Sequence, residues 1–347
     1  MASPSSDPRP PASEEAPPEY RAAPVPDVAG KAAEGVTGGA PARRRSATGE
    51  DGRSRRLTYP PAPEPLPLPV MDNHTHLDFH DGLLEVEPAA ALDAAERVGV
   101  AGAVQVGCDL ASSRFTVEVI EKDPRLLGAV AIHPNDAVRY AGRRQLDEAL
   151  AQIEALAAHP RVRAIGETGL DYFRTPRGDA APQHESFRRH LDLACRLGKA
   201  LQIHDRDAHD DVVAILREEP EPPAVVFHSF SGDGELARLC NDRGWYMSFS
   251  GTVSFGNADA QREALRVARP ELLLVETDAP FLTPHPHRGR PNASYLVPVT
   301  VRSMAATRGM DLAELCGALR ENTERVYGSW NPADAPTGRT DGRPGAA

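Results

Sequence analysis

A (β/α)8 barrel (a TIM barrel) is the fold class that the sequence predicts, and three observations predict it. Eight short apolar runs recur between residues 68 and 277. The intervals between them, and the stretch after the last, place apolar residues three to four apart, the spacing of one helix face. An open doubly wound sheet, the competing architecture, would carry a glycine-rich phosphate turn after its first strand. A His-x-His pair stands in that position instead.

In chain order, residues 1–69 come first. They hold 15 of the 33 prolines, many Ala, Ser and Gly, and almost no aromatic or branched apolar residues. Such a segment buries too little surface to offset its ordering entropy, so a disordered N-terminal tail is expected, dispensable for folding and catalysis. Its arginines (Arg43, Arg44, Arg45, Arg53, Arg55, Arg56) read either as a weak nucleic-acid contact or as a solvated face. No hydrophobic run follows them, as a secretory signal would require.

The barrel domain is expected over residues 70–328. Strands are predicted at 68–74, 103–107, 127–132, 162–166, 200–204, 224–228, 245–249 and 272–277, where apolar residues run together between turn residues. Helices are predicted at 89–98, 112–122, 144–158, 183–197, 208–219, 233–243, 259–268 and 296–327. Leu146, Ala149, Leu150, Ile153 and Leu156 mark the buried face of the third; Phe187, Leu191, Ala194 and Cys195 mark that of the fourth. Residues 329–347 return to Pro, Gly and Arg, and a flexible C-terminal tail is expected.

The formal charge is −11, and all of it falls on residues 70–330 because the flanking segments are balanced. An acidic domain argues against holding duplex DNA by bulk attraction, and it suits a site where bound cations supply positive charge. The four cysteines stand far apart with no Cys-x-x-Cys, which reads as free thiols in a reducing compartment. No apolar run approaches the roughly 18 residues needed to span a bilayer. A cytoplasmic protein with no membrane association and no obligate protein partner is the expectation.

His74 and His76 end the first predicted strand. Side chains two apart on a strand share a face, so both imidazoles point the same way. One His-x-His is weak evidence of a metal, and a single histidine is more often a hydrogen-bonded structural residue. Here four further ligand-type residues fall at predicted strand ends: Glu167 on the fourth, His204 on the fifth, His228 on the sixth and Asp278 on the eighth. If the barrel closes, strand 8 lies beside strand 1 and all six converge on one mouth. Imidazole and carboxylate donors together suit divalent ions from magnesium and manganese to zinc. Six ligands exceed one tetrahedral site. A carboxylate bridges, so Glu167 is placed between two ions, with His74, His76 and Asp278 on one and His204 and His228 on the other.

The motifs Asp72-x-His74-x-His76-Leu77-Asp78, Ile165-Gly166-Glu167-x-Gly169-Leu170-Asp171-Tyr172, Ile203-His204-x-Arg206, His228-Ser229-Phe230-Ser231-Gly232 and Glu276-Thr277-Asp278-Ala279-Pro280-Phe281-Leu282 carry a resemblance. Together with Arg288-Gly289-Arg290-Pro291-Asn292, they resemble the TatD family of metal-dependent deoxyribonucleases, over about residues 70–328. The resemblance implies an amidohydrolase-like barrel, a DNase or 3′–5′ exonuclease activity with magnesium, and the same two-ion assignment. Two positions depart from the family pattern. Asn135 follows His133-Pro134 where a second histidine is usual, which leaves His133 as a substrate or leaving-group contact. Ser229 stands where a Cys is usual.

Further roles are expectations of the same kind. Asp278 accepts the proton of the attacking water or serves only as a ligand. Arg206 is the first candidate for a phosphate clamp, because its planar fork suits phosphate oxygens; a salt bridge with Asp205 or Asp207 is its structural alternative. Arg288, Arg290 and Arg174 are further phosphate candidates. Tyr172, Phe173 and Phe230 flank the ligands as base-stacking or pocket-wall residues, and Phe281 is expected as wall. Glu276 faces the same side as Asp278 and is placed to orient a ligand histidine. Single-stranded DNA or frayed ends are the expected substrate. The competing readings are an amidohydrolase, lactonase or phosphotriesterase acting on small molecules, and a non-catalytic nucleic-acid-binding or scaffold protein. Barrels of the first kind often bridge their ions with a carbamylated lysine on strand 4, and Glu167 holds that place here.

Overall fold

Strand β1 (Val70–Thr75) is buried along its whole length. Strands covered on both faces are what a parallel barrel with an outer ring of helices requires, and they read as continuous apolar runs rather than alternating ones. The computed structural model describes residues 15–21, 43–48, 52, 54–140 and 143–331. The other strands are β2 (Val100–Gly107), β3 (Leu126–Val130), β4 (Val162–Asp171), β5 (Ala200–Arg206), β6 (Val225–Phe227), β7 (Tyr246–Phe249) and β8 (Leu273–Val275). They form one parallel sheet in sequential order. Each is followed by a helix: α1 (Pro88–Glu96), α2 (Leu110–Lys122), α3 (Arg143–Ala157), α4 (Ala181–Leu197), α5 (His209–Glu218), α6 (Gly234–Arg243), α7 (Asp259–Val267) and α8 (Val297–Arg308). A last helix, α9 (Leu312–Tyr327), completes the shell. Helix starts follow local chemistry. Asp109 and Ser112 form a reciprocal capping box at α2, and Asp233 and Asp311 cap α6 and α9.

Two predicted elements differ from those observed. The single helix expected at 296–327 is two, because Gly309 takes a left-handed conformation (φ 62°) that ends α8 and turns the chain. Strand β4 runs to Asp171 rather than stopping at residue 166. Its ladder with β5 slips between Ile165 and Thr168, so Glu167 sits in an irregularity inside the strand, not at its end.

The barrel closes between β8 and β1 through one parallel bridge, Thr75 with Ala279, and two flanking bonds. Asp278 N donates to His74 O at 2.9 Å, and His76 N to Ala279 O at 2.8 Å. Buried side chains complete the seam. Asn73 Nδ2 donates to Val275 O at 2.8 Å, and Asp72 accepts from Thr277 N at 2.8 Å and from Thr277 Oγ1 at 2.6 Å.

The disordered tail expected at residues 1–69 lies partly outside the described residues. Its described parts pack on the barrel. Tyr20 is buried against Tyr59 and Tyr295, with ring centroids 4.5 and 5.0 Å apart. Arg43 and Arg44 form a short parallel ladder with Phe79 and His80. Arg55 grips Asp81 through both guanidinium ends, at 2.9 and 2.5 Å. A composition average cannot reveal these few anchors among the prolines. At the other end, Trp330 Nε1 donates to Arg125 O at 3.0 Å; residues 332–347 lie outside the described residues.

His190, in α4, supplies a stability prediction. It is buried, its Nε2 accepts from Ile132 N at 3.0 Å, and its Nδ1 donates to Ser186 O at 2.7 Å. Burial pushes its pKa down to about 4. The unfolded chain takes up that proton near pH 6.5. The neutral ring therefore stabilises the fold fully above about pH 6.5, and about 3 kcal/mol is lost as pH falls toward 4. Urea unfolding at pH 7 and pH 4.5 should show His190→Gln losing much less stability on acidification than the parent. Equal losses would remove His190 as the cause.

Candidate metal centre

The loops and strand ends at the carboxyl side of the barrel bring all six predicted ligands together. His74 lies in β1 and His76 just after it; both are buried. Their Nε2 atoms face each other at 3.2 Å. Asp278, three residues beyond β8 and 14% exposed, approaches His76 Nε2 at 3.3 Å and His74 Nε2 at 3.8 Å. Glu167 lies between this group and a second one. Its Oε2 is 3.5 Å from His74 Nε2 and 4.0 Å from His76 Nε2. Its Oε1 is 2.5 Å from His204 Nδ1, 3.1 Å from His228 Nε2 and 3.4 Å from His133 Nε2. One carboxylate thus turns one oxygen to each of two imidazole clusters.

The local sequence explains why Glu167 can reach so far in. The slip in β4 frees it from the ladder, and Gly169 lets the two strands close up around it. At Gly169 (φ 140°) a Cβ would stand 2.1 Å from His204 O, so no side chain is tolerated there. Supporting contacts fix the rings. His228 Nδ1 lies 2.8 Å from Glu276 Oε1, which also accepts from Ser229 N at 2.8 Å; this is the orienting position expected of Glu276. His76 Nδ1 lies 3.0 Å from Val106 O. His204 Nε2 lies 3.3 Å from Asp171 Oδ2, which Asn135 Nδ2 also reaches at 2.8 Å.

Electrostatics follow from this packing of charges. Burial alone would raise the Glu167 pKa, but His228, His133 and His204 outweigh it and hold the carboxyl well below its usual range. Burial likewise opposes protonation of His204, yet Asp171 and Glu167 push its pKa up to about 9. His74, stacked on His228 at 3.8 Å, has its pKa lowered by burial and by that neighbour. The donor set fits divalent cations. Facing ring nitrogens 3.2 Å apart, with carboxylate oxygens on either side, form groups whose ligand atoms all lie within 4.8 Å of one another.

Residues that sequence reasoning did not single out also reach the cluster. Cys108 Sγ is 3.8 Å from His76 Nδ1 and 3.7 Å from Glu167 Oε2, and its place at the end of β2 was the available signal. Asp171 stands in the quoted Gly169-Leu170-Asp171-Tyr172 motif.

The predicted substrate contacts are placed unevenly. The Arg206 guanidinium stacks on Phe173 at 3.9 Å and Phe173 is 56% exposed, while Asp205 pairs with His209 rather than with Arg206. The Tyr172 hydroxyl is engaged by Asp211 and by His184 Nε2 at 2.7 Å. Arg288 stacks on Phe255 at 4.4 Å. Arg290 donates to Thr58 O and Tyr59 O of the N-terminal segment instead of facing the ligands. Phe230 is buried in the core and cannot stack a base. Phe281 is only half-buried and meets His76 edge-on at 6.2 Å.

A closed parallel barrel with imidazole and carboxylate ligands gathered at its carboxyl end defines the class of metal-dependent barrel hydrolases. Comparison narrows the class. A family model described as TatD related DNase matches residues 71–328, and the chain belongs to that family of metal-dependent hydrolases. It is 45% identical over 264 residues to an uncharacterized metal-dependent hydrolase, TatD, of Mycobacterium tuberculosis; the match covers 75% of this chain and 98% of the relative. To the uncharacterized metal-dependent hydrolase YabD of Bacillus subtilis it is 37% identical over 265 residues, covering 74% and 98%. Among solved structures, YjjV, a TatD homologue from Escherichia coli, superposes with a TM-score of 0.69 at 26% identity, covering 75% and 98%.

Proposed function

We propose that this chain hydrolyses phosphodiester bonds of DNA, at single-stranded or frayed ends, with two divalent cations, magnesium first and manganese or zinc as alternatives. The observation that carries the reading is Glu167, whose two oxygens face separate histidine clusters. His74, His76 and Asp278 would hold one ion with Glu167; His204 and His228 would hold the other. Such a pair supplies Lewis-acid polarisation of the phosphate and a water of lowered pKa. Asp278, more open than Glu167, is the residue positioned to accept the proton of that water. His133 lies 3.4 Å from Glu167 and serves as the contact to the leaving oxygen. Arg206 and Arg288, held on aromatic faces, bind the substrate strand together with Tyr172, whose N–H donates to Arg206 O at 2.9 Å.

A small-molecule hydrolase with a carbamylated lysine is disfavoured by this centre. Lys199, the lysine nearest β5, precedes that strand and donates to Val162 O and to His159 O at 3.2 Å, away from the ligands. Among the described residues, no helix is long and apolar enough to cross a membrane. A cytoplasmic site of action, with no obligate protein partner, is part of the proposal and accords with four free cysteines.

The deciding experiment assays labelled single- and double-stranded oligonucleotides beside a panel of small esters and lactones, in each metal and after chelation. Oligonucleotide cleavage that chelation abolishes and magnesium or manganese restores is the expected result. Turnover of the small esters alone would replace the nuclease reading, and activity in metal-stripped protein would end the two-ion mechanism.

A further inference from the structure

Residues 43–48 lie outside the stretch that the family model matches, yet they rest against the two loops carrying His76 and Asp278. Arg44 pairs with His80, and Arg45 N donates to His80 O at 2.9 Å. That register delivers the Arg45 side chain to the rim of the metal centre. Its guanidinium stands 5.0 Å above the Phe281 ring, the ring that meets His76, and its Nη1 donates to Pro280 O at 2.9 Å.

Charge counting shows what this arginine has to spare. Asp81 is the carboxylate beside it, but Arg55 already holds both Asp81 oxygens, at 2.9 and 2.5 Å, whereas Arg45 reaches one of them at 3.4 Å. One carboxylate facing two guanidiniums leaves a positive charge over, on a chain whose net charge is −11. Among the described residues only Nη1 of Arg45 donates to protein, which leaves Nε and Nη2 available on a side chain 31% exposed. Burial and Arg55 lower its proton affinity, while Asp81 and then Asp278 act the other way, which places it within the field of the ligand cluster. Arg206 and Arg288 stand on ring faces in the same way, over Phe173 and Phe255, whereas Arg290 is engaged by the N-terminal segment.

We infer that Arg45 is a substrate-binding residue supplied from outside the family domain, taking a non-reacting phosphate of the strand being cleaved; this rests on the phosphodiesterase reading above. A planar fork with two unused N–H edges at the rim of the ligand cluster suits phosphate oxygens. The N-terminal segment thereby becomes part of the binding cleft rather than an appendage.

The test is steady-state cleavage of a fluorescein-labelled single-stranded oligonucleotide by the full chain in magnesium. Wild type, Arg45→Gln and Arg45→Lys are compared over a range of salt, with thermal unfolding of each. Arg45→Gln should raise KM about tenfold while kcat changes far less. Its dependence of log KM on log salt should flatten by about 0.7, one phosphate contact on a single strand. Arg45→Lys, which keeps the charge without the fork, should restore the salt slope and part of the KM, and the three proteins should unfold alike. An unchanged KM and salt slope overturns the role of Arg45 and leaves the nuclease reading standing. A raised kcat/KM in Arg45→Gln also overturns it, marking the segment as a block on the cleft. A parallel fall in kcat and unfolding temperature, not rescued by Lys, overturns it in favour of a structural role. Wild type that cleaves small esters but no oligonucleotide overturns the nuclease reading, and with it this one.

Discussion

Glu167→Gln should lower turnover by a thousandfold or more while the fold persists. Cation-assisted chemistry contributes several kcal/mol to such hydrolyses, and each ~1.4 kcal/mol is a factor of ten. The substitution keeps the size but turns one accepting oxygen into a donating amide, and removes the charge that faces five imidazoles, at 2.5 to 4.0 Å. It should also cost cation affinity at both groups of ligands together, which a metal titration by calorimetry would record as the loss of two equivalents rather than one. Near-normal rates, or one site lost with the other intact, would show that Glu167 does not bridge.

Arg55→Ala should destabilise the protein by about 3 kcal/mol, the cost of stranding a buried charge, although Arg55 belongs to a stretch that composition marks as tail. The Asp81 side chain is fully buried (0% exposed) and Arg55 is its two-pronged partner; Arg45 at 3.4 Å offsets part of the loss. Adding Asp81→Asn to Arg55→Ala should recover much of the difference, since the uncompensated carboxylate, and not the missing contact area, is the cause. Chemical denaturation of the single and double variants reads both effects. An Arg55→Ala protein as stable as the parent would restore the view of residues 1–69 as dispensable.

The fold was largely legible because a barrel strand, covered on both sides, leaves a short apolar run wherever it occurs. All eight runs correspond to strands, and the eight helical intervals to helices. Strand ends were less legible. Nothing in the pattern around Ile165-Gly166-Glu167 announces that β4 slips its register and continues to Asp171, because the slip is decided by how closely β5 approaches at His204. The six side chains that gather at the barrel mouth could be picked out because imidazole and carboxylate are conspicuous in apolar surroundings. The partners of the arginines could not. Arg288 and Arg290 are two residues apart in sequence, yet one lies on Phe255 and the other on Thr58 and Tyr59. Exposed arginines choose partners by tertiary geometry that a local sequence does not carry. The N-terminal segment shows the same limit from the other side: Tyr20, Arg45 and Arg55 are anchors only because Tyr295, Phe281 and Asp81 lie within reach of them.

The seam between β8 and β1 has a consequence for how the metal centre comes into being. Asp72 and Thr277, whose bonds lock that seam, are 205 positions apart in the chain, and they flank His74 and Asp278 directly. Joining chain segments so distant carries a large loop-closure cost and belongs late in folding. A half-barrel, or a chain emerging from synthesis, therefore holds His74, His76 and Glu167 without Asp278. Gathering all six side chains is thus a signature of the closed ring, and a cation held between His74 and Asp278 would span a late joint, as a keystone does.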